Sequence, residues 1–293
     1  MFAEPTTLPA AAAGTIALGD LTVNRMAFGA MRLTGQGVWG DLDDREAAKG
    51  VLRRALELGV NLIDTAASYG PEVNEELIAE TLHPYPEDLV IATKGGLTRP
   101  GPGQWQRDAR PETLRKSLEG SLQRLRLQRI DLYQLHTVDP QVPLEESVGT
   151  LAELQQEGKI RHIGVSNFDA RQLASARKLV PVVSVQNRYS LADRHAEGVL
   201  EECERSGIAF LPWFPLALGE LARAQGRLAQ IARGRGVTSA QVALAWLLRR
   251  SPAMVPIPGT SSAEHLDENV GAAALELSDA EFSELSRTAE ASL

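Results

Sequence analysis

Eight short apolar runs rich in strand-forming residues recur along the chain, each followed by a helical pattern, and this alternation limits the possible folds more than any other feature. Because the runs are continuously apolar, they are typical of parallel strands covered on both faces. Eight strand–helix units in 293 residues predict an α/β fold of the (β/α)8 TIM-barrel type. The runs are RMAFGAM (25–31), VNLIDTA (60–66), LVIATKG (89–95), IDLYQLH (130–136), HIGVSNF (162–168), VVSVQNRYS (182–190), IAFLPWFP (208–215) and MVPIPGT (254–260).

Helix signals occupy the segments between the runs. DDREAAKGVLRRALELG begins with acidic residues and ends at Gly59, and RPETLRKSLEGSLQRLRL has Pro111 near its first turn. No Pro-, Ser- or charge-rich linker divides the chain. We therefore predict one barrel domain over 15–293, preceded by a flexible N-terminal tail over 1–14.

Two segments stand outside the eight units. In GTIALGDLTVN, Gly19-Asp20 lies between β-prone arms and predicts an N-terminal β-hairpin that closes the bottom of the barrel. The stretch 216–237, after the seventh run, exceeds an ordinary loop, and long loops on this face usually carry function.

The charge balance indicates a small-molecule partner. A net charge of −8 and a pI near 5.3 argue against nucleic acid or an anionic membrane as a partner. The single cysteine, Cys203, lies in a helix-like stretch and is interpreted as a buried structural thiol, which fits a reducing cytoplasm. The N-terminal segment has neither the charge nor the apolar core of a signal peptide, so we expect a cytoplasmic protein.

GQGVWG (35–40) matches a dinucleotide-binding fingerprint, with Asp64 about 20 residues later as the acidic partner. In a true fingerprint the helix begins among the glycines. Here three aspartates, Asp41, Asp43 and Asp44, follow the third glycine and resemble a helix-capping region. The glycines are therefore predicted to lie in a loop that carries Trp39 over the barrel rim, where it either contacts substrate or only packs the loop down.

Polar side chains end several of the runs, and in a barrel these positions share the C-terminal rim, where active sites lie. Asp64 ends the second run and Tyr69 follows five residues later, while Lys94 and His136 end the third and fourth runs. Further polar residues end the fifth and sixth runs: Ser166, Asn167 and Gln186. Each alone has an ordinary structural explanation, as a helix cap, surface lysine, core histidine or packing residue, but their joint placement favours a catalytic site.

These four residue types suit proton transfer to a carbonyl oxygen. A free phenol with a pKa of about 10 is a poor acid at neutral pH, and an adjacent ammonium lowers that pKa, so Lys94 is expected to lower the pKa of Tyr69. Asp64 would hold Lys94 charged and oriented, and His136 would donate a hydrogen bond to the carbonyl. A strand-ending lysine is also how Schiff-base aldolases work, so an aldolase that uses Lys94 is an alternative.

From about residue 15 to the C-terminus, these residues in this order resemble the aldo-keto reductases. The resemblance is carried by IDTAASYG, IATKGG, DLYQLH, GKIRHIGVSNF, VQNRYS, PWFPL and IPGTSSAEHLDENVGA. It implies a TIM-barrel oxidoreductase that uses NADPH/NADP+ to reduce an aldehyde or ketone, with the proton supplied by Tyr69. A small carbonyl compound is the implied partner, and no metal is expected.

The resemblance also implies the cofactor-binding positions. Ser166, Asn167 and Gln186 match the residues that bind the nicotinamide carboxamide, and Trp213 stands where a tyrosine usually stacks on the nicotinamide ring. Pro215 and Leu216 match the pyrophosphate segment. The remaining cofactor-binding positions are Gly29, Met31, Gly259, Thr260, Ser261, His265, Glu268 and Asn269.

The adenosine segment departs from many relatives. Gly259 and His265 stand where a lysine and an arginine often hold the 2′-phosphate of NADPH. NADPH is still expected to bind more tightly than NADH, although NADH remains a possible cofactor.

Two further alternatives concern the substrate of the protein and its role. PWFPL and GAMRLTGQGVWG resemble a bacterial subgroup that includes pyridoxal reductases and pyridoxine dehydrogenases, which makes pyridoxal a candidate substrate beside a broad range of aldehydes. Barrels of this family also serve as cofactor-binding regulatory subunits of channels. Nothing in the sequence indicates an interaction segment for that role.

Overall fold

The protein is described from a computed structural model that covers residues 8–223 and 225–290, with side chains described as far as residue 287. Seven parallel strands form a curled sheet in which each strand pairs with the next barrel strand along the chain. This order is that of the predicted (β/α)8 barrel, and each of the first seven apolar runs supplies one strand. The strands are β3 (Phe28–Gly29), β4 (Leu62–Asp64), β5 (Val90–Gly95), β8 (Ile130–Leu135), β9 (Ile160–Ser166), β10 (Val182–Gln186) and β11 (Ala209–Phe210).

The eighth run closes the barrel as an extended segment over residues 253–258. On one side Phe210 N–H donates to Ala253 and Val255 N–H donates back to Phe210. On the other side the N–H groups of residues 27 and 29 donate to the carbonyl oxygens of Pro256 and Pro258. Because Pro256 and Pro258 have no N–H, they donate no hydrogen bond to β3, and on that side hydrogen bonds are donated only towards the eighth segment.

Two antiparallel hairpins accompany the barrel. The predicted N-terminal hairpin is formed by β1 (Thr15–Leu18) and β2 (Leu21–Asn24), joined at Gly19-Asp20. Leu18 and Val23 of this hairpin pack with buried residues of the barrel strands, which closes the interior as predicted. A second hairpin, β6 (Leu97–Thr98) with β7 (Gln106–Arg107), follows β5 and was not predicted.

Helices surround the barrel, and a second, larger apolar cluster lies between them and the strands. Asp44 caps the first helix by accepting a hydrogen bond from Ala47 N–H, and Pro111 begins the third, as predicted. The helices are α1 (Arg45–Glu57), α2 (Val73–Leu82), α3 (Pro111–Leu125), α4 (Leu144–Gln156), α5 (Ala170–Ala176), α6 (Glu197–Ser206), α7 (Arg227–Arg235), α8 (Ser239–Arg250), α9 (Ala263–Gly271) and α10 (Asp279–Glu290).

The N-terminal segment differs in part from the predicted tail over 1–14. Residues 1–7 lie outside the described residues. Pro9–Ala13 form a 3₁₀ helix in which Ala10 is buried and donates its N–H to the carbonyl of Leu58. This part of the predicted tail therefore packs on the barrel, where the buried Ala10 joins the large apolar cluster between the helices and the strands.

The long segment after β11 and the single cysteine complete the fold. Two 3₁₀ helices, Ala217–Gly219 and Leu221–Arg223, precede α7 in this segment.

Cys203 is fully buried in α6, and burial raises the pKa of its thiol to about 12, which confirms a structural thiol. Across residues 8–223 and 225–290, no helix has the length and apolar character needed to cross a membrane.

Candidate active site

Lys94 lies at the centre of the site, and its side chain is 0% exposed. It is the penultimate residue of β5, and its ammonium donates to Asp64 Oδ2 at 2.6 Å, to the carbonyl of Thr65 at 2.9 Å and to the Tyr69 hydroxyl at 3.4 Å. The three donor hydrogens of the ammonium therefore each have an acceptor. Asp64 and Lys94 come from the neighbouring strands β4 and β5, as the spacing of the runs predicts.

Two buried glutamine side chains hold the other oxygen of Asp64. Gln134 and Gln186 each donate an amide hydrogen to Asp64 Oδ1, at 3.0 and 2.8 Å. Gln186 also donates to the side-chain oxygen of Gln134 at 3.3 Å. Both carboxylate oxygens of Asp64 are thus bonded inside the barrel, so the carboxylate cannot turn away from Lys94.

Burial and the ion pair act in opposite directions on Lys94. Burial disfavours its ammonium, but the Asp64 carboxylate and Tyr69 outweigh burial, and the pKa of Lys94 is raised. A Schiff-base lysine must present a neutral amine to its substrate. A fully buried, ion-paired ammonium does not fit that requirement, which weighs against the aldolase alternative.

Tyr69 follows β4 on a loop, and its ring is buried. Burial raises the pKa of its phenol, and this effect exceeds the opposing effect of Lys94. Lys94 does act to lower the pKa of Tyr69, as predicted, but the expected net decrease was wrong, because the sequence shows the neighbouring charge and not the loss of water around the hydroxyl. Tyr69 is protonated at neutral pH and carries a proton that it can donate.

His136 directly follows β8 and lies beside Tyr69, with the two rings edge to face and their centroids 6.0 Å apart. Burial lowers the pKa of His136 well below 6.5, and the positive charge of Lys94 lowers it further. Ser68 Oγ lies 3.5 Å from His136 Nδ1. The imidazole is therefore neutral at neutral pH and has one ring N–H to donate.

An open cleft of about 1010 Å³ lies over these residues at the carboxyl ends of the strands. Asp64, Tyr69 and His136 line it, whereas Lys94 is buried beneath. Ser261 lies outside the cleft, in a shallow depression beside α1. The other sequence-predicted cofactor residues all line the cleft: Gly29, Met31, Ser166, Asn167, Gln186, Trp213, Pro215, Leu216, Gly259, Thr260, His265, Glu268 and Asn269.

One end of the cleft is organised around Asn167, which adopts a φ of 60° directly after β9. Its amide donates to the His136 carbonyl and to Ser166 Oγ, each at 3.0 Å, and its oxygen accepts from Trp213 Nε1 at 3.1 Å. A positive φ is uncommon outside glycine, although asparagine tolerates it best. The indole of Trp213 is thus held by Asn167, which also binds the backbone of His136, and it can serve as a stacking surface in the cleft.

At the β3 edge of the sheet, the backbones of Gly29 and Gly259 come close together. A Cβ at Gly259 would lie 2.5 Å from the Gly29 oxygen, so this approach requires glycine. Arg32 extends beside Gly259, with its Cγ 3.5 Å from the same Cβ position. Arg32 and Arg223 line the cleft together with His265, which brings two guanidinium groups and an imidazole to this cleft in addition to His136. Of these, only His265 could be predicted from the sequence, because nothing in the spacing indicates that Arg32 lies near Gly259.

The substrate side of the cleft differs from the prediction for Trp39. Gly37 and Val38 line the cleft, but Trp39 is not among the lining residues, and its ring contacts Arg99 instead. Trp105, which the sequence analysis did not select, lines the cleft and is 43% exposed. A substrate contact by Trp39 therefore stays a prediction.

The cleft fits a nicotinamide dinucleotide. Its volume exceeds that of a typical small-molecule pocket, its polar groups converge at the carboxyl ends of parallel strands, and glycines keep the backbone open at Gly29 and Gly259. The exposed Asn167 and the half-buried Trp213 would meet the nicotinamide, and the basic side chains would meet the phosphates.

Comparisons with known proteins agree with a cleft that binds a nicotinamide dinucleotide. The model of the Aldo/keto reductase family matches residues 25–290. An uncharacterized oxidoreductase of Schizosaccharomyces pombe is 48% identical, covering 97% of this chain and 92% of its own. Pyridoxine 4-dehydrogenase of Escherichia coli is 43% identical, covering 92% of this chain and 96% of its own.

Among solved structures, an aldo-keto reductase from Klebsiella pneumoniae in complex with NADPH superposes with a TM-score of 0.78 at 27% identity, covering 91% of each chain. The fold, the site and these matches agree. The chain is an NADP(H)-dependent oxidoreductase and belongs to the aldo/keto reductase family.

Proposed function

We propose that this protein reduces an aldehyde or ketone to the alcohol in the cleft described above, with Tyr69 as the proton donor. The observation that supports this best is the ammonium of Lys94, which lies between Asp64 and the Tyr69 hydroxyl beneath the cleft. A nicotinamide dinucleotide held by the residues of the cleft would supply the hydride for the carbonyl carbon. The carbonyl oxygen takes its proton from Tyr69, so the product is neutral.

The surrounding residues make this proton transfer easier. When Tyr69 gives up its proton, the ammonium of Lys94 stabilises the phenolate that remains, and Asp64 keeps Lys94 charged and in place. The neutral His136 can donate its N–H to the carbonyl oxygen as negative charge develops there. Gln186, whose amide hydrogens are engaged by Asp64 and Gln134, has its own oxygen left to accept from a carboxamide.

The cofactor residues support NADPH as the preferred cofactor, although the usual lysine and arginine are missing. Arg32, Arg223 and His265 bring basic groups to a cleft whose adenosine segment includes Thr260. We expect tighter binding of NADPH than of NADH in a fluorescence titration, and a larger loss of affinity for NADPH than for NADH in Arg32→Met. Equal or better affinity for NADH would contradict this preference.

Pyridoxal is a candidate substrate beside a broad range of aldehydes. It is motivated by the 43% identity to a protein named pyridoxine 4-dehydrogenase and by the aromatic side chains of the cleft, Trp105 and Trp213. Turnover of pyridoxal would be compared with that of aromatic and aliphatic aldehydes. Absence of NADPH-dependent turnover of pyridoxal would remove it and leave the broader aldehyde reductase.

NADPH consumption across this aldehyde panel, repeated with Tyr69→Phe, tests the proposed mechanism. Loss of a general acid typically costs about 10²- to 10⁴-fold in rate. We expect a loss in this range with NADPH affinity retained. Tyr85→Phe is the matched control, because the Tyr85 hydroxyl binds the Leu125 carbonyl away from the cleft. Retained activity in Tyr69→Phe would overturn the assignment of the proton donor.

A further inference from the structure

Arg99, in the loop between β6 and β7, joins three loops at the mouth of the cleft. Its guanidinium donates to the carbonyl oxygens of Gly37, Val38 and Gln104 at 2.8 to 2.9 Å and to that of Ser68 at 3.2 Å. These carbonyls belong to the loop after β3, to the loop that carries the proposed proton donor and to the loop of the second hairpin. One side chain therefore fixes the relative positions of all three loops.

The same guanidinium contacts two indole rings. Its central carbon lies 3.8 Å from the ring centroid of Trp105 and 5.6 Å from that of Trp39, both within the range of cation–π attraction. Trp105 is 43% exposed and lines the cleft. Since Arg99 covers one face of this ring, the exposed surface lies on its other face and its edges, towards the cleft.

The parts of these loops nearest to the Arg99 contacts, residues 35–40, 68–70 and 99–105, bring no charge to the cleft, whereas Arg32, earlier in the segment after β3, lies beside Gly259. Among the described residues, those that line the cleft from these parts are Gly37, Val38, Tyr69, Gly103 and Trp105. The charge of Arg99 is itself taken up by four carbonyl oxygens and two rings. A substrate at this wall meets two glycines, a valine, a phenol and a flat indole.

We propose that Trp105 is a specificity-determining residue that stacks on flat, uncharged aromatic carbonyl substrates, and that Arg99 is the positioning residue that holds its ring in place. This inference rests on the proposed carbonyl reduction and names the substrate class that the cleft selects. Arginine is required because its planar group presents five N–H donors, whereas lysine offers three donors at a single point.

Benzaldehyde and cyclohexanecarbaldehyde form a matched pair of substrates, because both carry a six-membered ring and only benzaldehyde is flat and aromatic. An aromatic pair contributes about 0.5 to 1.5 kcal/mol beyond its buried area, which corresponds to roughly two- to tenfold. We expect Trp105→Ala to lower the ratio of kcat/KM for benzaldehyde to that for cyclohexanecarbaldehyde about fivefold, chiefly through KM. Trp105→Phe keeps an aromatic face and should preserve most of the ratio.

Arg99→Lys tests whether Arg99 acts through Trp105. We expect it to lower the same ratio in the wild-type background and to change it no further in the Trp105→Ala background. Any loss of kcat from the contact with Ser68 affects both substrates and cancels in the ratio. Leu179→Ala, which alters a 44% exposed apolar residue that does not line the cleft, is the control for apolar truncation.

Two results would overturn the inference. One is a ratio that stays within twofold of wild type in Trp105→Ala. The other is an equal effect of Arg99→Lys in both backgrounds, which would indicate a general structural role. Both leave the proposed reductase standing. If the wild-type protein reduces neither aldehyde with NADPH, the proposed function fails, and the inference fails with it.

Discussion

At the residue scale, the site holds two neutral groups beside a buried ion pair. Burial raises the pKa of Tyr69 and lowers that of His136, so loss of water keeps both residues uncharged at neutral pH. Lys94 and Asp64 are the charged partners, and each is satisfied by the other and by neighbouring amide and carbonyl groups. Reduction needs this arrangement, with one proton to give and one hydrogen bond to donate.

The pKa directions predict a flat pH profile for reduction. The proton on Tyr69 is lost only as pH rises through a pKa above its ordinary 10, and His136 gains its charge only as pH falls through a pKa well below 6.5. We expect kcat/KM for aldehyde reduction to change little from about pH 7 to about pH 9. Alcohol oxidation by NADP+ needs the phenolate and should become faster throughout this range. A midpoint for reduction inside the range would contradict the assignment.

At the element scale, a single side chain determines how α1 begins after the glycine-rich loop. Asp44 accepts from Ala47 N–H at 2.8 Å, while the glycines of GQGVWG precede the helix. The helix N-terminus is therefore occupied by a carboxylate, which confirms that the glycines lie in a loop and are not part of a phosphate-binding turn.

Removal of this cap should destabilise the protein without affecting its chemistry. An N-cap aspartate replaced by alanine costs about 1 kcal/mol, so we expect Asp44→Ala to lower the free energy of unfolding by about this amount in a denaturant titration. Asp43→Ala is the matched control, since Asp43 is an exposed neighbour that does not cap the helix. Equal effects of the two changes would contradict the capping role.

Most elements of the barrel could be predicted because their sequences show a clear hydrophobic pattern or residues typical of helix ends. α2 was not singled out, because it buries Asn74 and Glu75 as well as apolar residues and so lacks a purely apolar stripe. The β6–β7 hairpin lies in a segment rich in proline and glycine, TRPGPGQWQR, that is typical of a loop. Both elements depend on tertiary contacts, such as that of Thr93 with Glu75 at 2.5 Å, which no local pattern reveals.

The proposed catalytic positions could be selected from the sequence because consecutive barrel strands end at one rim. Arg32, Arg99 and Trp105 could not, because they come from loops whose paths are set by contacts distant in sequence. The direction of the Tyr69 pKa was missed for a related reason. Burial is a property of the whole surroundings, whereas a neighbouring charge can be inferred from strand order.

At the scale of the whole molecule, Arg25 ties the first and last parts of the barrel together. Its half-buried guanidinium donates to the carbonyl oxygens of Ala13, Leu248, Ser251 and Met254, at 2.5 to 3.3 Å. These acceptors belong to the N-terminal segment, the end of α8 and the eighth extended segment. Burial lowers the pKa of Arg25 without removing its charge. The planar, forked guanidinium can therefore donate to all of these carbonyl oxygens at once, which the single ammonium of a lysine could not do.

Arg25→Met should therefore weaken the closure of the barrel. It removes four hydrogen bonds from a charged donor and leaves their acceptors partly buried, which predicts a loss of about 3 kcal/mol in the free energy of unfolding. Arg171→Met, on the exposed surface of α5, is the control. Unchanged stability of Arg25→Met in thermal and denaturant unfolding would show that the barrel closes without this residue.

The prolines of the eighth segment leave a weakly hydrogen-bonded line in the barrel, between this segment and β3. Between this segment and β3, hydrogen bonds run in one direction only, from the N–H groups of Ala27 and Gly29 to Pro256 and Pro258. Local opening should therefore begin along this line, and these two amides should exchange with solvent sooner than those inside β5 or β8. Gly29 and Gly259, on opposite sides of the line, both contribute to the cleft. A dinucleotide bound across them would slow that opening, so occupancy of the cleft and integrity of the barrel are energetically linked.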